Sequence, residues 1–136
     1  MLGATVPLPK LNGGGIPKDS TTRVLALCPH ASDRVHLRKI FRKHAVKLFE
    51  ALTWREGIKD LVRHQPEVVI CEAVLPDGDW KLVLGYTSPL KNAPRLIVIS
   101  SHANESLWAE VLNLGGYDLL SKPLVEDEVV RVVGLV

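Results

Sequence analysis

The sequence has little of what marks specialised classes of protein. It has only two cysteines, Cys28 and Cys71, among 136 residues, which excludes a disulfide framework and fits a reducing, cytoplasmic compartment. No apolar run approaches the length of a membrane span, and no signal peptide is evident. The formal net charge of +2 is too small to indicate nucleic-acid binding by itself. What is left is one ordinary globular domain, large enough for its own core.

The two ends of the sequence indicate less structure than the middle. Residues 1–22 hold three prolines, three consecutive glycines at 13–15 and few large side chains, so we expect a flexible segment or linker there. The domain is then expected over residues 23–136. Because the sequence stops at 133–136 in what resembles an unfinished element, it suggests a domain cut from a longer protein that carries the output.

The most informative stretch is an uninterrupted apolar run that ends at Glu72 and is followed by Leu75-Pro76-Asp77-Gly78. Such a run without alternation predicts a strand that is buried on both faces, as in a parallel sheet. Pro76 and Gly78 then end the strand. Glu72 should therefore lie at the carboxyl end of a central strand, where open α/β sheets place their sites.

Strands and helices alternate along the rest of the sequence. We predict strands near 24–28, 46–52, 95–100 and 117–120, and helices near 33–44, 54–65, 79–86, 104–114 and from 125. Five βα units predict an α/β fold with a doubly wound parallel sheet, for which the flavodoxin-like strand order 2-1-3-4-5 is the commonest. That order brings Cys28, Pro29, Glu72, Ser100 and Lys122 to the same edge of the sheet.

Three stretches together resemble the CheY-like receiver domains of bacterial response regulators. Residues 115–124 (GGYDLLSKPL) are similar to the ending of that family, residues 66–78 are similar to its phospho-acceptor strand, and residues 97–101 are similar to the strand that carries its Thr or Ser. The resemblance covers residues 22–133. It implies a role in two-component signal transduction or a phosphorelay, with a histidine kinase, a phosphotransfer protein or an output domain as the partner.

The departures from that family fall on its functional positions. The resemblance aligns Glu72 with the phospho-accepting Asp, and Cys28 and Pro29 with the two acidic residues that help to hold Mg²⁺. Leu119 aligns with the switch aromatic. Ser100 and Lys122 keep the switch hydroxyl and the phosphate-pairing lysine, and Pro123 keeps the proline that follows a cis peptide bond.

These departures change the expected chemistry. Phosphoryl transfer relies on positioning and on charge neutralisation by Mg²⁺, which prefers six oxygen ligands. Cys28 is a soft ligand and Pro29 has no side-chain ligand, so Mg²⁺ binding should be weak or absent and no other cofactor or metal is predicted. Glu72 is one methylene longer than Asp, which misplaces the attacking oxygen. We therefore predict no enzymatic activity and no efficient self-phosphorylation.

Two interpretations of Glu72 remain open. It is either a structural carboxylate paired with Lys122, or an imitation of the phosphorylated state held by Lys122 and Ser100. Leu119 weakens the second interpretation because the usual aromatic reporter is missing. Asp77 and Asp79 are weaker alternatives as phosphate acceptors, because both lie past the turn.

Two surfaces are candidates for partner docking. Arg34, Arg38 and Arg42 share one face of the first helix with Lys39 and Lys43, which predicts either a solvated face or a docking face for an acidic partner. The apolar set of the 104–114 helix is too wide for one buried face, so an outward residue is expected. Trp108 in that set is more typical of a core, with an interface as the alternative.

Four functions follow from these observations. The first is a non-catalytic, atypical receiver that acts by protein contact and can form a homodimer through the fourth helix, fifth strand and fifth helix. The second is a phospho-acceptor that a partner kinase modifies. A nucleic-acid contact through the first helix is disfavoured because no reader motif is present. A flavodoxin-like cofactor binder is disfavoured because the first βα turn lacks phosphate-binding glycines.

Overall fold

A computed structural model describes residues 21–135 of the chain. Residues 1–20, which hold most of the predicted linker, lie outside the described residues, as does Val136. The first strand begins at Thr22, one residue before the domain boundary that composition predicted.

Five parallel strands form one sheet in the order β2-β1-β3-β4-β5. This order confirms the predicted flavodoxin-like fold and places β2 at one edge. The third strand is buried along its whole length, as its unbroken apolar run predicts. The strands are β1 (Thr22–Leu27), β2 (Val46–Ala51), β3 (Val68–Glu72), β4 (Arg95–Ser100) and β5 (Asp118–Ser121).

Five helices cover the two faces of the sheet and enclose a separate apolar cluster on each face. One cluster packs α1 and α5 against the sheet, and the other packs α2, α3 and α4 against the opposite face. None of the helices in residues 21–135 is long and apolar enough to cross a membrane. The helices are α1 (Ala31–Phe41), α2 (Trp54–His64), α3 (Trp80–Thr87), α4 (Glu105–Leu114) and α5 (Glu126–Val133).

Side-chain caps fix where three of these helices begin. Thr53 accepts a hydrogen bond from the amide of Glu56 at 3.1 Å, and the Glu56 carboxylate accepts one from the amide of Leu52 at 2.9 Å. The Thr53 bond is one half of the capping box that Thr53 and Glu56, three residues apart, predict for α2. The Glu56 carboxylate departs from that motif, because it binds the amide one residue before the cap and not that of Thr53. Asp79 caps α3, and Asn104 caps α4. The caps satisfy amides that would otherwise lack a partner at the start of each helix.

Two predicted core positions are wrong. The sequence predicts an apolar stripe on α2 made by Trp54, Ile58, Leu61 and Val62. Val62 is 65% exposed, however, and Gly57 is buried in the same helix instead. Trp108 is 48% exposed, so the core interpretation of this residue is wrong as well. Val111 is the buried residue of α4. Both errors have the same cause, because an apolar stripe in a sequence shows which face is apolar but not which part of it is covered.

A side chain at Gly57 is expected to destabilise the packing of α2 on β1. A Cβ at this position would clash with the buried Leu27 side chain, whereas a Cβ at Gly85 in α3 would meet nothing within 4 Å. Gly57→Ala should therefore lower the free energy of unfolding by about 1–3 kcal/mol. Gly85→Ala should raise it by about 0.5–1 kcal/mol, because alanine favours the helix. Urea denaturation of both variants measures the difference, and equal stabilities would contradict this packing.

Candidate functional site

Three charged side chains meet at the carboxyl edge of the sheet. Lys122 Nζ donates to Glu72 Oε1 at 2.5 Å and to Asp33 Oδ2 at 2.7 Å. Glu72 ends β3, Lys122 follows β5, and Asp33 lies in the first turn of α1. All three side chains are at most 14% exposed. We call Asp33, Glu72 and Lys122 the carboxylate–lysine triad.

The triad is held together by two ion pairs that share the ammonium group of Lys122. Two carboxylates so close to one ammonium leave a formal charge of −1, and the ammonium is the counter-ion of both. Burial by itself would lower the pKa of Lys122, but its hydrogen bonds to Asp33 and Glu72 raise that pKa above its ordinary value. The lysine therefore stays charged at neutral pH.

Cys28 and Pro29, the two residues that directly follow β1, carry no carboxylate. Cys28 is fully buried, and its burial, together with the charges of Asp33 and Glu72, raises the pKa of its thiol far above the ordinary range. The carbonyl oxygens of Cys28 and Pro29 each accept a hydrogen bond from Arg34 Nη1 at 2.9 Å. These backbone oxygens are thus already bound to a guanidinium.

Ser100 does not bind the triad through its hydroxyl group. Its Oγ accepts a hydrogen bond from the amide of His102 at 3.0 Å, and its carbonyl oxygen accepts one from the amide of Lys122 at 3.0 Å. Leu119 is buried in the cluster under α4. The peptide bond between Lys122 and Pro123 is cis, as the family resemblance implies.

The segment after Glu72 is a short hairpin that the sequence did not predict, made by Val74–Leu75 and Gly78–Asp79. Asp77 in its turn accepts hydrogen bonds from the amides of Trp54 at 2.7 Å and Arg55 at 3.0 Å. These bonds lower the pKa of Asp77. The carboxylate of Asp77 is thus bound to the start of α2, as that of Asp79 is bound to the start of α3.

Most of the basic face of α1 is already paired. Arg38 forms a bidentate pair with Glu50, at 2.6 and 2.7 Å, and Lys43 lies 3.1 Å from Glu126. Arg34, which the sequence indicates as a docking candidate, has a side chain that is only 15% exposed and bound to backbone carbonyls. Arg42 is exposed and has no ion-pair partner among residues 21–135. The face is therefore less positive than its sequence suggests.

Several large apolar residues of α4, and of the segments next to β5 and α5, are exposed. Trp108 donates through Nε1 to Asp118 at 3.3 Å, so its ring is fixed on the surface beside β5. The guanidinium of Arg95 lies 5.1 Å from the centre of the Tyr117 ring. The large exposed apolar residues of this surface, which we call the α4–β5–α5 face, are Trp108, Leu112, Leu114, Tyr117 and Val125.

Asp33 is the site residue that sequence reasoning missed. An Asp in the first turn of a helix is expected from the helix dipole alone, so its presence did not indicate a site. Its partner Lys122 lies 89 residues further along the chain. The available signal was the position of Asp33 in the first turn of the helix that follows β1. The predicted topology brings the start of that helix to the carboxyl edge of the sheet.

Most of the chain is similar to a known protein family. A family model described as the response regulator receiver domain matches residues 30–134. The KDP operon transcriptional regulatory protein KdpE of Escherichia coli is 31% identical over 104 residues, which are 75% of this chain. The matched region spans 45% of the length of KdpE, so the chain corresponds to about half of that relative.

Solved structures share the fold at lower identity. The signal receiver domain of a protein assigned as a LuxO repressor from Vibrio parahaemolyticus has a TM-score of 0.78 and 23% identity, covering 85% of this chain and 88% of that one. The beryllofluoride-activated NtrC4 receiver domain, solved as a dimer, has a TM-score of 0.76 and 22% identity, covering 82% of this chain and 93% of that one.

Proposed function

The chain belongs to the response regulator receiver domain family. We propose that it is an atypical receiver whose site holds one fixed conformation without phosphorylation. The carboxylate–lysine triad carries this proposal. In it, Lys122 holds Glu72 at 2.5 Å and Asp33 at 2.7 Å, so the carboxylate aligned with the phospho-acceptor already has a cationic partner. The domain then acts in signalling by protein contact and has no enzymatic activity of its own.

The available donors are poorly suited to Mg²⁺. This ion prefers oxygen ligands in octahedral geometry, yet Cys28 offers buried sulfur, Pro29 offers no side-chain ligand, and both of their carbonyl oxygens accept from Arg34. No group of three His, Cys, Asp or Glu side chains within residues 21–135 is arranged to hold a metal ion. We therefore propose that charge neutralisation at this site comes from Lys122.

The two interpretations of Glu72 differ in what holds it. An imitation of the phosphorylated state would use both Lys122 and Ser100, but the Ser100 hydroxyl accepts from the amide of His102. The buried Leu119 leaves no aromatic side chain to report a change. This arrangement favours a structural role for Glu72, with one fixed conformation presented to partners.

The α4–β5–α5 face is the contact surface that we propose. It leaves several large apolar side chains exposed, with Trp108 at 48% and Leu114 at 54%, and exposed apolar groups that lie together mark protein interfaces. A homodimer, or an output, phosphotransfer or kinase domain in the cytoplasm, is the proposed partner class. Direct nucleic-acid binding is disfavoured, because Glu50 and Glu126 already pair with basic residues of α1 and the loop after it.

A titration with Mg²⁺ and beryllofluoride tests the proposal. We expect the amide signals of Glu72, Ser100 and Lys122 to stay in place at millimolar Mg²⁺, with or without beryllofluoride. Parallel mass spectrometry with a small-molecule phosphodonor should show no phosphoryl uptake. Glu72→Asp is the matched variant, since it changes only the reach of the carboxylate. If the three wild-type signals move together with those of α4, the domain is a phospho-acceptor that a partner kinase can use.

A further inference from the structure

An apolar groove lies at the edge of the sheet opposite the triad, between the C-terminal ends of α2 and α3. Its volume is about 420 Å³. Three of its residues are large and exposed: Val62 at 65%, Leu90 at 42% and Tyr86 at 39%. Its apolar lining consists of Leu61, Val62, Pro66, Tyr86, Leu90 and Pro94. We call it the α2–α3 groove.

We propose that the α2–α3 groove binds residues 5–11 of the same chain, Thr-Val-Pro-Leu-Pro-Lys-Leu. This inference does not depend on the proposed function of the triad. It gives the N-terminal segment a docking site on the domain, with the glycines at 13–15 as the link between the two.

The chemistry of the groove fits this segment. Proline-containing segments favour an extended polyproline conformation and bind apolar grooves that contain aromatic side chains, at a low cost in conformational entropy. Residues 5–11 contain Pro7 and Pro9, with apolar Val6, Leu8 and Leu11. The Tyr86 ring makes an edge contact with Trp54, with centroids 5.3 Å apart, so this wall of the groove is held in place before binding.

The path of the chain brings the segment to the groove. Arg23, two residues after the first described residue, donates through Nε to the carbonyl of His64 at 3.0 Å and through Nη2 to that of Gln65 at 3.2 Å. Gln65 and Pro66 line the groove, and with Arg23 they also line an adjoining hollow. The chain therefore enters β1 beside the groove.

The connecting residues are long enough. Nine residues, 12–20, separate Leu11 from Thr21, and fully extended they reach about 30 Å. A segment that is too poor in large side chains to form a core of its own can in this way cover apolar surface that the domain leaves exposed.

A spin label at position 10 of the full chain tests the proposal. Cys28 and Cys71 are both fully buried and burial raises the pKa of their thiols, so a nitroxide should attach only to the new thiol of Lys10→Cys. We expect the amide signals of Val62, Tyr86 and Leu90 to lose most of their intensity, whereas that of Val125 on the α4–β5–α5 face should be retained.

Matched variants locate the contact. Val62→Asp in the labelled chain should restore the groove signals, whereas Leu114→Asp, a comparable exposed change on α4, should leave them broadened. Uniform broadening, or no rescue by Val62→Asp, would overturn the proposal. A mixture of spin-labelled and isotope-labelled molecules completes the test: broadening of the groove signals in that mixture would assign the groove to the segment of a second copy and refute docking within one chain.

Discussion

Replacing Lys122 with methionine is expected to lower the free energy of unfolding by about 3–5 kcal/mol, the usual cost of removing one partner from a buried ion pair. Methionine keeps much of the length of the side chain but leaves Glu72 and Asp33 facing each other with no counter-ion. Urea denaturation at neutral pH measures the loss. The triple variant Asp33→Asn, Glu72→Gln, Lys122→Met should regain most of the stability, because it leaves no unpaired charge. A triple variant no more stable than Lys122→Met would contradict the argument.

The pH dependence of this difference has a defined sign. Folding raises the pKa of Lys122, so the ion pairs contribute fully below the ordinary lysine pKa of about 10.4. The contribution is lost as the pH rises through the raised pKa. Above neutral pH, the difference in stability between the wild type and Lys122→Met should therefore stay constant until strong alkali, where it should shrink.

Restoring an acidic residue at Cys28 should also destabilise the domain. The Asp of Cys28→Asp would be fully buried beside Asp33 and Glu72, while Lys122 is already shared between those two carboxylates. A third carboxylate without a counter-ion is expected to cost about 3 kcal/mol or more. Thermal and urea denaturation measure the loss of stability. Cys28→Ser is the control, because it adds polarity but no charge and should lose less stability.

Magnesium distinguishes the two Cys28 variants. A ligand that binds the native state but not the unfolded state stabilises a protein. The extra carboxylate of Cys28→Asp adds an oxygen ligand for Mg²⁺ beside Glu72. Millimolar Mg²⁺ should recover part of the stability of Cys28→Asp and none of that of Cys28→Ser. If Cys28→Asp is as stable as the wild type without Mg²⁺, then Lys122 does not limit the number of carboxylates at this site.

The order and type of the main elements could be predicted because each has a signal within its own residues. The apolar run before Glu72 predicted a central strand, and the pair Thr53 and Glu56 predicted the start of α2. The predicted first helix, 33–44, is found at Ala31–Phe41, and its N-cap His30 makes no side-chain cap hydrogen bond, so no capping residue marked its start in the sequence. The hairpin after Glu72 was missed because its strands are two residues long and show no periodicity.

The site was predictable only in part. The carboxyl ends of the strands indicated Glu72, Cys28, Ser100 and Lys122 as neighbours. The predicted pairing of Glu72 with Lys122 is found, but the bond from Lys122 to Asp33 was not predicted. Whether Lys122 binds one carboxylate or two depends on where α1 packs. The observed packing places Asp33 Oδ2 2.7 Å from Lys122 Nζ. The Arg34 side chain is held by the backbone carbonyls of Cys28 and Pro29, and a sequence pattern does not show such a contact.

The surroundings of the three tryptophans have a practical consequence. Trp54 and Trp80 are buried at 8% and 4% exposure, whereas Trp108 is 48% exposed on the α4–β5–α5 face. The intrinsic fluorescence of the domain thus combines two shielded emitters with one that a soluble quencher can reach. The quenchable fraction of the emission reports on this one face alone, so the unmodified chain carries its own optical probe for whatever covers that face.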